Sequence, residues 1–246
     1  MNLDNRKDIV FLVLAGFFIT NAIVAELIAG KLFVIGPFVL SLGILLWPVV
    51  FLTTDLVNEY YGKRGVRILS YITVGLISYT FVVISIGLFI NAAVFSGVSN
   101  ENYNAVFGPS QWIIVGSILA FLSSQLIDVF VFWIIRDKTG SKMIWLRATG
   151  STVVSQLVDT FVVLFIGFVL PGIINPGTPG SWSMAEYWHN ASYTYVFKLM
   201  IAIALTPLIY VGHNLIKKYL GDKLSHDQIK HVAEETLHHK TQDYMK

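Results

Sequence analysis

Ser124-Gln125-Leu126-Ile127-Asp128-Val129-Phe130-Val131 returns thirty-one residues later as Ser155-Gln156-Leu157-Val158-Asp159-Thr160-Phe161-Val162. Both phrases lie inside long apolar runs. In a helix, a glutamine and an aspartate three residues apart share a face, so each copy presents an amide and a carboxylate together. Ionisable groups are expensive inside a bilayer and mark sites there by default. The repeat therefore points to a helical membrane fold and to the place where a ligand would bind.

Composition supports the same class. Of the 246 residues, 55% are hydrophobic and 13% charged, with a mean hydropathy of +0.67, whereas ordinary soluble domains carry about 25% charged residues. No change of composition separates two domains, so one integral domain over residues 1–217 is expected, followed by a cytoplasmic tail over 218–246. The absence of cysteine excludes disulfides, thiolate metal sites and cysteine nucleophiles. A net charge of +2 is too small to argue for a nucleic-acid partner. Membrane lipid is the expected surrounding, and a homo-oligomer is compatible with it.

Apolar stretches long enough for a crossing, about twenty residues each, occur near 9–29, 33–54, 68–90, 112–135, 148–170 and 193–216. The first is too long, and carries Asn21 and Glu26 too late, for a cleaved signal peptide. Of the 17 lysines and arginines, fifteen fall before the first stretch, between the second and third, between the fourth and fifth, or after the sixth. Cytoplasmic loops hold the positive charge. The expectation is an all-α membrane protein with six spans, both termini cytoplasmic, in the cell membrane. The loops on the far side, 91–111 and 171–192, are rich in Gly, Asn, Pro and aromatic residues, which suits packing at the interface or a lid. Asn190-Ala191-Ser192 fits the glycosylation pattern but abuts a span.

Several positions could carry a ligand. Asp128 lies about 12 Å and Asp159 about 18 Å inside the cytoplasmic boundary at helical rise. Two carboxylates in one dry cavity need a cation or a proton between them. Lys198, just inside the sixth stretch, is the natural counter-ion; the alternative is snorkelling to the outer surface. Gln125 and Gln156 accompany the aspartates and could instead lock helix to helix. Asn21 offers an amide in the first span, and Glu26 is expected to reach water beside Lys31. Pro48 is expected to bend the second span and turn Trp47 to a cavity. Asp55 and Glu59 share a face, with Asp55 about 6 Å deeper.

Ser225-His226-Asp227-Gln228 reads as a capping box in the tail. His226, His231, His238 and His239 lack metal-site spacing, so no metal is expected. No phosphate-cradling glycine loop, serine triad or HExxH is present, and neither an enzyme nor a cofactor is expected.

The chain resembles the queuosine precursor transporters, also called the vitamin uptake transporter family. The phrases that carry the likeness are Thr20-Asn21, Trp47-Pro48 through Phe51, Thr54-Asp55-Leu56 leading to Gly62, Gln125-Leu126-Ile127-Asp128-Val129, Asp159-Thr160 with the aromatic run after it, and Phe197-Lys198 with Pro207. They cover roughly 20–212. The resemblance implies a six-helix fold similar to the substrate-binding components of energy-coupling-factor vitamin transporters. It also implies import of deazaguanine precursors of queuosine, a modified tRNA nucleoside, in cyano, aminomethyl or queuine form. Asn21, Trp47, Asp55, Gln125, Asp128, Gln156, Asp159 and Lys198 then become the expected substrate-binding residues. Rival readings are a carrier or substrate-binding subunit for another vitamin or nucleobase, and a membrane enzyme using the paired aspartates.

Overall fold

A computed structural model describes residues 5–230 apart from 37 and 140–143; the side chains at 51, 63, 125, 126, 128, 129, 132, 133, 135–139, 144–152, 202, 203, 205, 206 and 209 lie outside the description. Helix α1 (Arg6–Ile28) is followed by a hairpin of β1 (Leu32–Ile35) and β2 (Phe38–Ser41) and a 3-10 turn at Leu42–Leu45. Then come α2 (Trp47–Phe89), α3 (Asn100–Thr139), α4 (Ile144–Leu164), a π-turn at Phe165–Val169, α5 (Leu170–Ile174) and α6 (Met184–Leu220). Residues 222–230 are again helical.

Among the described residues, four helical stretches are long and apolar enough to cross a membrane: Arg6–Ile28, Arg64–Phe89, Asn100–Ser124 and Val153–Ile174. Their outward faces are apolar. In α2, Ile68, Tyr71, Ile72, Leu76, Tyr79, Val82, Val83 and Ile86 are all exposed. They recur every three or four residues, which is one helix face, and that face is what lipid would cover.

The stretch 33–54, expected as a continuous helical span, is not one. Its first part is the antiparallel hairpin, paired from Leu32 with Ser41 to Ile35 with Phe38. Gly36 turns the chain at φ +57°, a conformation that costs glycine little, and Val34, Ile35 and Val39 suit a strand. A hydropathy window counts apolar residues and is blind to this change of period. Pro48 then stands in the first turn of α2, where its missing N–H costs nothing. It does not bend a span there. The break in α2 comes instead at Gly62 (φ 65°, ψ −173°).

By internal packing the chain divides into two compact units. The first comprises Met1–Ala25, Leu45–Ile77 and Met200–Lys246, with Val10, Leu56, Tyr60, Ile216 and Leu220 at its centre. The second comprises Glu26–Ile44 and Ser78–Leu199, centred on Ala29, Ile113, Leu164, Phe168, Val169, Tyr187 and Ala191.

Close helix packing in the second unit depends on two glycines. A Cβ at Gly116 would lie 3.0 Å from the Val163 carbonyl oxygen, and one at Gly167 would lie 3.0 Å from Cγ1 of Ile113. Contact moves up α3 as it moves down the following helix, so the two run antiparallel. The end of α1 closes on α3 as well: Ser110 Oγ donates to the Leu27 carbonyl at 2.9 Å.

Candidate functional site

The buried charges of the second unit converge from α1, α3, α4 and α6. Two turns beyond Ser110, Ser117 Oγ donates to Glu26 Oε2 at 2.8 Å. Glu26 is 2% exposed, so it does not reach water at the helix end as its position beside Lys31 suggested. It lies within electrostatic reach of Asp159 and Lys198.

Lys198, in α6, places Nζ 3.3 Å from Asp159 Oδ2 and 3.1 Å from Thr160 Oγ1. The lysine side chain is 10% exposed and the aspartate 25%. Thr160 is fully buried and donates its hydroxyl to the Gln156 carbonyl at 2.8 Å. Gln156, Asp159 and Thr160 share one face of α4 by their spacing. Gln156 Oε1 is buried and has no hydrogen-bond partner among the described residues. A buried polar atom without a partner is costly and calls for an explanation; an acceptor beside a charged pair is one that a ligand N–H could satisfy.

Aromatic rings flank these polar groups. Phe161, next to Thr160, contacts the rings of Tyr187 and Trp188 at centroid distances of 5.9 and 5.5 Å. Phe38 of the hairpin meets Tyr193 and Phe197 at 5.1 and 6.2 Å, one residue before Lys198. Tyr187 also donates its hydroxyl to the Phe161 carbonyl at 3.0 Å, just ahead of the π-turn. Such turns free backbone groups from the regular helical ladder and recur at functional sites.

The other sequence-derived candidates fall elsewhere. Asn21 Nδ2 donates to the Phe17 carbonyl of its own helix at 2.8 Å. Trp47 begins α2 in the first unit, and Asp55 is exposed one turn ahead of Glu59. The side chains of Gln125 and Asp128 lie outside the described residues. The structure thus brings Gln156, Asp159 and Lys198 into one unit with Glu26, Thr160 and Ser117, three residues the sequence analysis did not place in a site. Glu26 carried a signal, since a glutamate near the end of an apolar run is unusual, but its depth could not be fixed to within a helical turn.

The first unit holds a second buried polar cluster. Tyr60, fully buried, places its hydroxyl 3.0 Å from His213 Nδ1 and 3.3 Å from Ser225 Oγ. Gln228 Nε2 donates to the Tyr60 carbonyl at 2.9 Å, and Glu59 Oε1 lies 3.3 Å from His213 Nδ1. Ser225 is no helix cap. Gly221, at φ +87°, precedes a helix that has already begun, and the Ser225 N–H donates to the Gly221 carbonyl. Asn190 is buried, so its sequon is not an acceptor site. Among the described residues no group of three His, Cys, Asp or Glu could hold a metal.

Residues 41–212 match the family described as "Putative vitamin uptake transporter". The chain belongs to that family. The transporter is 32% identical over 178 residues to a "Probable queuosine precursor transporter" of Bacillus subtilis, covering 72% of each chain. It is 29% identical to one of the same description from Haemophilus influenzae, over 72% of this chain and 70% of the relative. It is 28% identical to the "Queuosine precursor transporter" of Escherichia coli, over 74% and 76%. No solved structure matches. The protein is a multi-pass protein of the cell membrane and not an enzyme. Its buried carboxylates are therefore groups for binding, not the acid and base of a reaction.

Proposed function

We propose that the protein imports 7-deazaguanine precursors of queuosine for tRNA modification, and that Gln156, Asp159 and Lys198 hold the base. The observation that carries this reading is the Lys198–Asp159–Thr160 cluster beside the unpartnered Gln156 Oε1, in a chain whose relatives are described as queuosine precursor transporters. A guanine-like edge offers adjacent N–H donors that a carboxylate accepts as a pair, and its carbonyl needs a donor such as a lysine or an amide. The flat ring would lie among the aromatic groups beside Phe161 and Phe197.

In this reading the chain crosses the membrane six times with both termini cytoplasmic, residues 1–217 forming the transport domain and 218–246 the tail. The arrangement would resemble the substrate-binding components of energy-coupling-factor transporters. Asp128 and Gln125, the other copy of the repeated phrase, belong to the same site, and Asn21, Trp47 and Asp55 contribute to its approach. A carrier for another vitamin is the second reading, favoured by the description of the family itself.

Thermal stabilisation of the detergent-purified protein by a panel of deazaguanines, other nucleobases and vitamins tests both. A ligand of the folded state must raise stability by mass action, by about 2.7 kcal/mol at a hundred times its Kd. Stabilisation by deazaguanines alone, lost in Asp159→Asn, is the expected result. Stabilisation by another vitamin and not by deazaguanines overturns the assignment.

A further inference from the structure

Glu26 is the one buried charge in the second unit that the proposed base-binding set does not use. Its carboxylate is 2% exposed and fixed by the Ser117 hydroxyl at 2.8 Å. Lys198 sits in direct contact with Asp159, and the charge of Asp159 acts on Glu26 more strongly than that of Lys198 does. Among the described residues, then, one ammonium faces two carboxylates, and the pair it forms leaves Glu26 as surplus negative charge. In a medium of low dielectric constant an uncompensated charge acts over several ångströms and is costly until something of opposite sign arrives.

We propose that Glu26 is a specificity-determining residue that makes the site select a ligand carrying positive charge over a neutral ligand of the same ring. This rests on the import of deazaguanines proposed above and narrows it. The aminomethyl form, an ammonium at neutral pH, is preferred to the cyano form, which has no charge. The cation need not touch Glu26, because the field of a buried carboxylate reaches across the site. A neutral base leaves the surplus charge in place; a cationic one removes it.

The test is equilibrium binding of the aminomethyl and cyano bases to the detergent-purified full chain, with and without Glu26→Gln. Wild type is expected to prefer the aminomethyl base by roughly tenfold to a hundredfold, and Glu26→Gln to lose that preference while still binding the cyano base. The N-acetylated aminomethyl base, which keeps the ring and removes the charge, should bind wild type as weakly as the cyano base. It reads the same selectivity on unaltered protein should Glu26→Gln not fold. Equal affinity of wild type for charged and neutral bases, or a preference that survives in Glu26→Gln, overturns the proposal and leaves deazaguanine import standing. Failure of every deazaguanine to bind overturns both.

Discussion

The two buried polar clusters of this chain are made of different chemistry. Around Tyr60 the groups are a phenol, an imidazole, a serine hydroxyl and a glutamine amide, closing on one another at 2.9 to 3.3 Å, with the partly exposed Glu59 at the edge. Around Lys198 they are an ammonium, two carboxylates and an amide oxygen without a partner. A set of neutral groups that satisfy one another gives a ligand nothing to bind and holds helices in place. A set with surplus charge and an unmet acceptor is poor packing by itself, and makes sense where a ligand completes it. Burial alone does not distinguish the two, since Tyr60 is as deeply enclosed as Glu26.

Removing the lysine should have the largest effect. Lys198→Met leaves Asp159 and Glu26 facing each other without a cation. Breaking a buried pair from one side costs about 3–5 kcal/mol; with Asp159 a quarter exposed, the lower end is expected. Ligand binding should vanish as well. Lys198→Met combined with Asp159→Asn should recover much of the melting temperature and none of the binding. Wild-type affinity in Lys198→Met would remove the functional half of the contrast.

Tyr60→Phe addresses the other half. The lost hydroxyl leaves His213 Nδ1 and Ser225 Oγ without their shared partner, which costs about 1–3 kcal/mol. The melting temperature should fall while the Kd for a stabilising base stays within about twofold of wild type, a change below ~0.5 kcal/mol. A large loss of affinity with unchanged stability would mean that the Tyr60 cluster is itself a site.

How these clusters read from the sequence follows the same division. Lys198 and Asp159 were legible because an ammonium inside an apolar run needs a carboxylate, and the repeated phrase supplied one. The membrane class and the long helices were legible from hydropathy. Glu26 was misjudged because its neighbour Lys31 made an exposed helix end plausible, and residues 32–41 because a hydropathy window does not register period. Tyr60, His213 and Ser225 were invisible. Their contacts join positions more than 150 apart in sequence, and nothing local marks a tyrosine, a histidine and a serine as partners.

A smaller effect is expected where α3 and α4 touch. Gly116→Ala would raise helix propensity by up to about 1 kcal/mol, yet its Cβ would stand 3.0 Å from the Val163 carbonyl oxygen. Backbone yields little, and overpacking of this kind costs about 1–3 kcal/mol. The net result should be a loss of roughly 1 kcal/mol by the same principles, read as a lower melting temperature. Because Val163 lies one turn beyond Asp159, the substitution should also weaken base binding more than Tyr60→Phe does. The reverse order would mean that the site tolerates movement of α4.

The smallest effect separates a real cap from an apparent one. Ser225-His226-Asp227-Gln228 has the capping pattern and does not cap; Ser183-Met184-Ala185-Glu186 has it and does. The Ser183 N–H and hydroxyl both donate to Glu186 Oε2, at 2.8 and 2.7 Å, and the Glu186 N–H returns to Ser183 Oγ at 3.3 Å. Those bonds from Ser183 hold the Glu186 carboxyl below its ordinary range. Its folded form therefore prefers the ionised state. The stability it contributes is complete above the ordinary carboxylate range and is lost as the pH falls through the lowered value. Glu186 is exposed at the start of α6, so the change is small and screened by salt. Glu186→Gln should flatten that part of the acid limb of the melting curve and leave neutral-pH binding alone. Gln228→Glu, at the matching position of the false box, should produce no corresponding cap titration, because the Ser225 N–H is already donated to Gly221. If both substitutions altered the acid limb alike, the sequence pattern would matter more than the helix start, and the distinction between the two boxes would fail.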